Sequence, residues 1–246
     1  MAKANKDKDR RAVVEELRRE QQRAERRRTL MIIGAAAAVG LLIIGMATWS
    51  YLGSTSEQRE IAGRDLDTFG VPAAEAGCTE VQATEAEGSS DHRPMGSALD
   101  YETSPPAAGP HYPTWAEINR KFYSVADRPD VGLLVHNLEH GYNVLWYDAS
   151  VADDEEAISE VEAVAEKFAG TDYENKFIAV PWTAEDGEPF PDGAKYALTH
   201  WSMGGTNGNP EGQQGINQWC QELSGEAIAQ FVEDYPYTDS PEPGAS

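Results

Sequence analysis

The chain has five histidines, His92, His111, His136, His140 and His200, and two of them share the hexapeptide His136-Asn137-Leu138-Glu139-His140-Gly141. Imidazole is the commonest metal-binding side chain, and two within four residues reach one ion from a single turn. The spacing H-x-x-E-H is also a zinc-protease signature, which needs a long helix so that both histidines share a face and the glutamate serves as base. Here the motif lies between two strand-like runs, Leu133–Val135 and Tyr142–Tyr147, and closes on a glycine. That context argues against a protease. A zinc-dependent hydrolase with Glu139 activating a metal-bound water stays as an alternative.

A second pattern involves sulfur. Met95 and Met203 each follow a histidine by three residues, in His92-Arg93-Pro94-Met95 and His200-Trp201-Ser202-Met203. Imidazole with thioether is a soft donor set that suits copper better than magnesium or calcium. The candidate metal residues are therefore His136, His140, His111, His92, His200, Glu139, Met203 and Met95. Copper is the favoured ion and zinc the alternative. Glu139 acts as a ligand or orients an imidazole. A purely structural role remains open beside both, because loop histidines often just hydrogen-bond a carbonyl or carboxylate. In the loop Ser104–Trp115, Pro105, Pro106, Pro110 and Pro113 restrict the backbone, which holds His111 at little entropic cost.

Other chemistries lack their signatures. The sequence has no G-x-S-x-G elbow and no phosphate-cradling G-x-x-x-x-G-K run. The glycine-rich stretch 204–209 reads as a turn without a lysine. Of the net charge of −22, residues 1–28 carry +5 (11 basic, 6 acidic) and residues 53–246 carry −27 (9 basic, 36 acidic). A domain so acidic repels phosphate, which argues against nucleic acid as a partner.

These residues must be positioned by something, and the composition shows where. Residues 29–52 contain no charged side chain, and Arg26, Arg27 and Arg28 precede them while Trp49 and Tyr51 close the run. A helix of this length crosses a hydrocarbon core of about 30 Å, and basic residues stay on the cytoplasmic side. The run is too long, and its lead too extended, for a cleaved signal peptide. The expected organisation is a basic cytoplasmic tail (1–28), a transmembrane helix (29–52), a stalk (53–77), an extracytoplasmic domain (78–236) and a disordered tail (237–246). The lipid bilayer is the first partner, and a larger membrane complex is a possible second one. In that last reading the chain is a non-enzymatic accessory subunit whose histidines are purely structural.

Within the domain, patterning predicts strands at 79–84, 133–135, 142–147, 176–182 and 195–201. It predicts amphipathic helices at 153–168 and 226–235, with long ordered loops at 88–115 and 183–194. The fold class is α+β: a small, largely antiparallel sheet with two or so packed helices, preceded by one transmembrane helix. Cys78 and Cys220 are the two cysteines. An even pair in an oxidising compartment reads as a disulfide joining the domain's start to its end.

The run Tyr101-Glu102-Thr103-Ser104-Pro105-Pro106-Ala107-Ala108-Gly109-Pro110-His111-Tyr112, followed by Val135-His136-Asn137-Leu138-Glu139-His140-Gly141, resembles the bacterial domain-of-unknown-function family 3105. That family pairs a PPxSGxH stretch with an HxLEHG stretch, usually behind one membrane anchor. The resemblance covers about residues 88–235. It implies a similar fold and a similar placement of His92, His111, His136, Glu139 and His140. It implies no activity. Ala107 and Ala108 stand where the family often carries hydroxyl residues.

Overall fold

The computed structural model describes residues 26–29, 31, 33–34, 39–42, 44–46, 63–86, 91–204 and 212–245. The chain divides into two units, Met1–Glu60 and Ile61–Ser246. In the first, the described residues are helical and mostly exposed. Among the described residues no helix is long and apolar enough to cross a membrane. The expected span 29–52 falls in large part outside the described residues, and the tail before Arg26 falls there entirely.

In the second unit five strands form one sheet: β1 (Gln82–Glu85), β2 (Asn143–Asp148), β3 (Phe177–Trp182), β4 (Tyr196–Ser202) and β5 (Gln214–Cys220). Their order is β1-β5-β4-β2-β3. The β1–β5, β5–β4 and β4–β2 pairings are antiparallel, and β2–β3 is parallel. The helix α2 (Glu155–Glu166) lies in the connection that this parallel pair requires. Pro181, which cannot donate to a ladder, sits in β3 at the sheet's edge. The other edge is the four-residue β1, exposed throughout.

β3 and β4 are buried along their whole length, and β2 is nearly so, because both faces of the sheet are covered. Side chains alternate between faces. Leu145, Tyr147, Phe177, Ala179 and Leu198 pack with Val161 and Val164 of α2 and with Ile228 and Phe231 of α3 (Gly225–Asp234). Val144, Trp146, Ile178, Val180 and Trp201 pack with Leu134, Val135 and Leu138 of α1 (Val131–Glu139). Asp154 caps α2 by accepting from the backbone N–H of Glu156 and Ala157, and Ser224 caps α3 by accepting from Ala227.

Two elements differ from the sequence expectation. Leu133–Val135 is not a strand but part of α1. A short apolar run fits a buried helix as well as a strand, and burial on nearly every side erases the polar face that would have told them apart. β5 carries Gly215, Asn217 and Gln218, residues that strands disfavour. Its pairing with β4 on one side and β1 on the other overrides that propensity. The Cys78–Cys220 disulfide is present, ties the approach to β1 to the end of β5, and closes a loop of sequence separation 142.

Both ends of the unit are folded further than expected. Phe69 is fully buried between the sheet and α3, and Val71 N–H donates to Leu223 O at 2.9 Å. Leu66 lies so close to Gly225 that a Cβ there would stand 1.8 Å from the Leu66 carbonyl oxygen. Residues from Arg64 onward therefore belong to the folded body and not to a stalk. Nor are 237–245 disordered, because Lys176 Nζ donates to Pro243 O at 3.0 Å and Ala245 O at 2.7 Å, and Ser202 Oγ donates to Asp239 Oδ2 at 2.6 Å. Polar composition hid this, since the segment is held by hydrogen bonds and scarcely by apolar burial.

Candidate metal centre

The site is built on the last turn of α1. His140 N–H donates to His136 O at 3.1 Å, and Gly141, at φ +93°, ends the helix by donating to Leu138 O at 2.9 Å. Glycine adopts this left-handed conformation freely. A Cβ at Gly141 would also stand 2.5 Å from Tyr237 O, so the C-terminal segment lies directly on it. Residues four apart share a helix face, and His136 Nε2 and His140 Nε2 come within 3.0 Å.

The intervening residues each reach elsewhere. Asn137 Oδ1 accepts from Ala116 N–H at 2.9 Å and its Nδ2 donates to Ala116 O at 3.2 Å, which pins the loop bearing Trp115 to α1. Trp115 covers the imidazoles of His136 and His140, its ring centroid 5.2 and 4.9 Å from theirs. Leu138 enters the core. Glu139, fully buried, reaches His111, with Oε2 2.9 Å from Nε2.

His111 arrives on the proline-rich loop. Its backbone N–H donates to Asp91 O at 3.2 Å, and its carbonyl accepts from Arg93 N–H at 2.7 Å, an exchange that lays His92 beside it. The rings of His92, His111 and His136 form a triangle with centroids 4.7, 4.8 and 5.0 Å apart. His111 Nδ1 donates to Gly109 O at 2.9 Å and His136 Nδ1 donates to Tyr112 O at 2.6 Å. A carbonyl can only accept, so in each neutral ring the proton sits on Nδ1 and the lone pair on Nε2. The Nε2 atoms turn inward, His111 to the buried Glu139 carboxylate and His136 to His140. Metal-binding histidines are held this way, by a hydrogen bond from the outer nitrogen.

The electrostatics fit such an arrangement. Burial pushes the His136 pKa down, and neighbouring His111 adds to this against the Tyr112 carbonyl. His140 is lowered to about 4 by burial and by His136. Burial would lower His111 too, but the Glu139 carboxylate and the Gly109 carbonyl outweigh it and raise its pKa. Two imidazoles are thus kept neutral, as metal ligation requires.

Two sets of donors result. One atom from each of His92, His111, His136 and Glu139 lies within 4.8 Å of all the others, and so does one from each of Glu139, His140 and Glu242. Two ligands each about 2.0–2.1 Å from one tetrahedral ion stand about 3.3 Å apart, and within the first set His111 Nε2 and Glu139 Oε2 stand 2.9 Å apart. The donor chemistry and spacing fit a metal ion.

Two of the residues read from the sequence, His200 and Met95, are placed differently. His200 projects from β4 on the face opposite Trp201, toward α3, and its Nε2 donates to Asp239 O at 2.9 Å. Trp201, on the α1 face, touches His111 instead. A single residue step along a strand thus carries His200 away from the cluster. Met95 is exposed, and its sulfur accepts from Thr114 Oγ1 at 3.7 Å. Met203 directly follows the end of β4.

The family described as "Protein of unknown function (DUF3105)" matches residues 92–246. The chain belongs to this family. The DUF3105 span opens at His92 and contains every member of both donor sets. No curated protein and no solved structure matches the chain.

Sequence reasoning on the DUF3105 region missed Glu242, Trp115, Asn137 and Lys176. Glu242 sits in a polar segment with no local pattern, and only tertiary folding brings its backbone N–H to Glu139 O at 2.9 Å. Lys176 Nζ donates to His140 O at 2.7 Å and to two carbonyls of the C-terminal segment. Its burial, which drops its pKa to about 8, was the one signal that sequence could not carry.

Proposed function

We propose that this chain displays, on the outer side of a membrane, a domain that binds a transition-metal ion through His111, His136 and Glu139, with His92 and His140 completing the surround. The observation that carries this reading is the pair of imidazoles locked through Nδ1 by backbone carbonyls and gathered, with His92, around the buried Glu139 carboxylate. Nitrogen and carboxylate donors suit zinc and copper(II). The case for copper over zinc leaned on the two methionines. Met95 is turned to Thr114, which removes one of the two.

The uncharged run 29–52 behind Arg26–Arg28 supports membrane anchoring, and the Cys78–Cys220 disulfide suits an oxidising compartment. The HxxEH motif does lie on a helix, contrary to the strand context expected for it. Glu139, however, is buried against His111, where it orients or joins the ligands and is poorly placed to activate a water for an incoming substrate. Metal binding and handling, for supply to a membrane enzyme, is therefore favoured over hydrolysis.

The test is elemental analysis of the full chain purified in detergent, after dialysis against zinc or copper(II). Retention by the wild type and loss in His136→Ala is the expected result. A wild type that keeps neither metal above background ends this proposal. Anchoring is tested separately: the chain should stay with membranes after an alkaline wash, and its release would refute it.

A further inference from the structure

We infer that the centre holds two metal ions bridged by Glu139, the second one bound by His140 and by Glu242 from the C-terminal segment. This deepens the single-ion reading above and rests on it.

Six side chains gather here, more than a four-coordinate ion takes. They do not form one mutually close set. They fall into two, His92–His111–His136–Glu139 and Glu139–His140–Glu242, overlapping at Glu139 alone. A carboxylate has two oxygens and can give one to each ion, and ions sharing such a ligand stand about 3.5–4 Å apart. The second set is a built one. Glu242 is fixed beside Glu139 by its own backbone N–H, which donates to Glu139 O at 2.9 Å. Lys176 fastens the same segment by donating to Pro243 O and Ala245 O, and grips the His140 carbonyl with the same ammonium.

His140 supplies an independent observation. Its Nε2 stands 3.0 Å from His136 Nε2 and 3.7 Å from Glu242 Oε2. Its Nδ1 is buried with no hydrogen-bond partner. An unmade hydrogen bond on a buried group costs about 1–3 kcal/mol, a cost that ligation would offset. A buried ring with Nδ1 unmet and Nε2 3.7 Å from a carboxylate oxygen is suited to a cation.

The count of bound ions decides this. The full chain in detergent is dialysed against zinc, and zinc per chain is measured for the wild type and for Glu242→Gln. The wild type should hold two ions and Glu242→Gln one. Glu242 is half exposed, so the variant should fold, and its melting curve checks that. A wild type holding one ion, lost in His136→Ala, overturns the second site and leaves the metal site standing. A wild type holding none overturns both. A Glu242→Gln chain that binds two ions, or none, also overturns the inference. Loading with copper(II) gives a second readout. Two ions this close couple their spins and lower the resonance intensity per copper, and Glu242→Gln should restore it. Two uncoupled coppers in the wild type would refute a shared carboxylate.

Discussion

Asn137 and Ala116 exchange two hydrogen bonds, side-chain amide to backbone, and so close the proline-rich loop onto α1. The HNLEHG hexapeptide thereby does three things at once: it presents two imidazoles, clamps a loop, and orients a third imidazole through Glu139. Asn137→Ala leaves a buried N–H and a buried carbonyl without partners. The expected loss is about 2–3 kcal/mol in urea unfolding. Wild-type stability in Asn137→Ala would show that the loop is held by other contacts.

Gly141 meets two demands, a left-handed φ of +93° and the close approach of Tyr237 O. Gly141→Ala fails both. The variant should melt lower, by a margin corresponding to about 1–3 kcal/mol, and residues 237–245 should become susceptible to limited proteolysis. An unchanged digestion pattern would mean that the C-terminal segment is not seated on this glycine.

The titration of the metal-free protein follows from burial. His140 is lowered to about 4 from an ordinary value of 6.5, so the unfolded chain takes up this proton first. Its stabilising contribution is complete above about pH 6.5 and is lost as the pH falls toward 4. His136, also lowered, acts in the same sense. His111, raised, acts in the opposite one: its contribution is present below 6.5 and fades as the pH rises through its folded value. Ring-proton resonances should show His140 as the most acidic of the three. Titration of His140 near 6.5 would contradict the burial described for it.

Trp115, partly exposed and resting on His136 and His140, is placed to report on the centre. Copper(II) added to the metal-free chain should quench a share of the tryptophan emission that Trp115→Phe removes. Equal quenching in the two proteins would place the copper elsewhere.

The Cys78–Cys220 bridge spans a sequence separation of 142. In the chain-entropy treatment, closing so long a loop stabilises by about 4–5 kcal/mol, and often by less in practice. The double substitution Cys78→Ser, Cys220→Ser should lower the unfolding free energy in that direction. Measured without reductant, equal stability would assign the fold's strength wholly to its core.

Where the chain announces itself locally, the sequence could be read. The α2 stripe of Val161, Val164 and Ala165 behind a capping aspartate, and the apolar runs of β2, β3 and β4, are of that kind. So is the hexapeptide, whose histidines do come together with His92 and His111. What could not be read depends on tertiary context. Leu133–Val135 is helical because the sheet buries it, and β5 is extended because two strands flank it. His200 looks like any other histidine until the strand's alternation sends it to the far face. Glu242 gains its place from a lysine and a helix end remote in sequence.

Residues 237–245 are threaded back under the grip of Lys176 to lie on the end of α1. They leave the ribosome after every histidine has done so. A nascent chain can therefore expose every histidine before Glu242 emerges. Metal met early would find the first donor set alone. On the two-ion proposal, full loading waits for the segment to emerge and dock, which would make completion of the centre a late event in the protein's life.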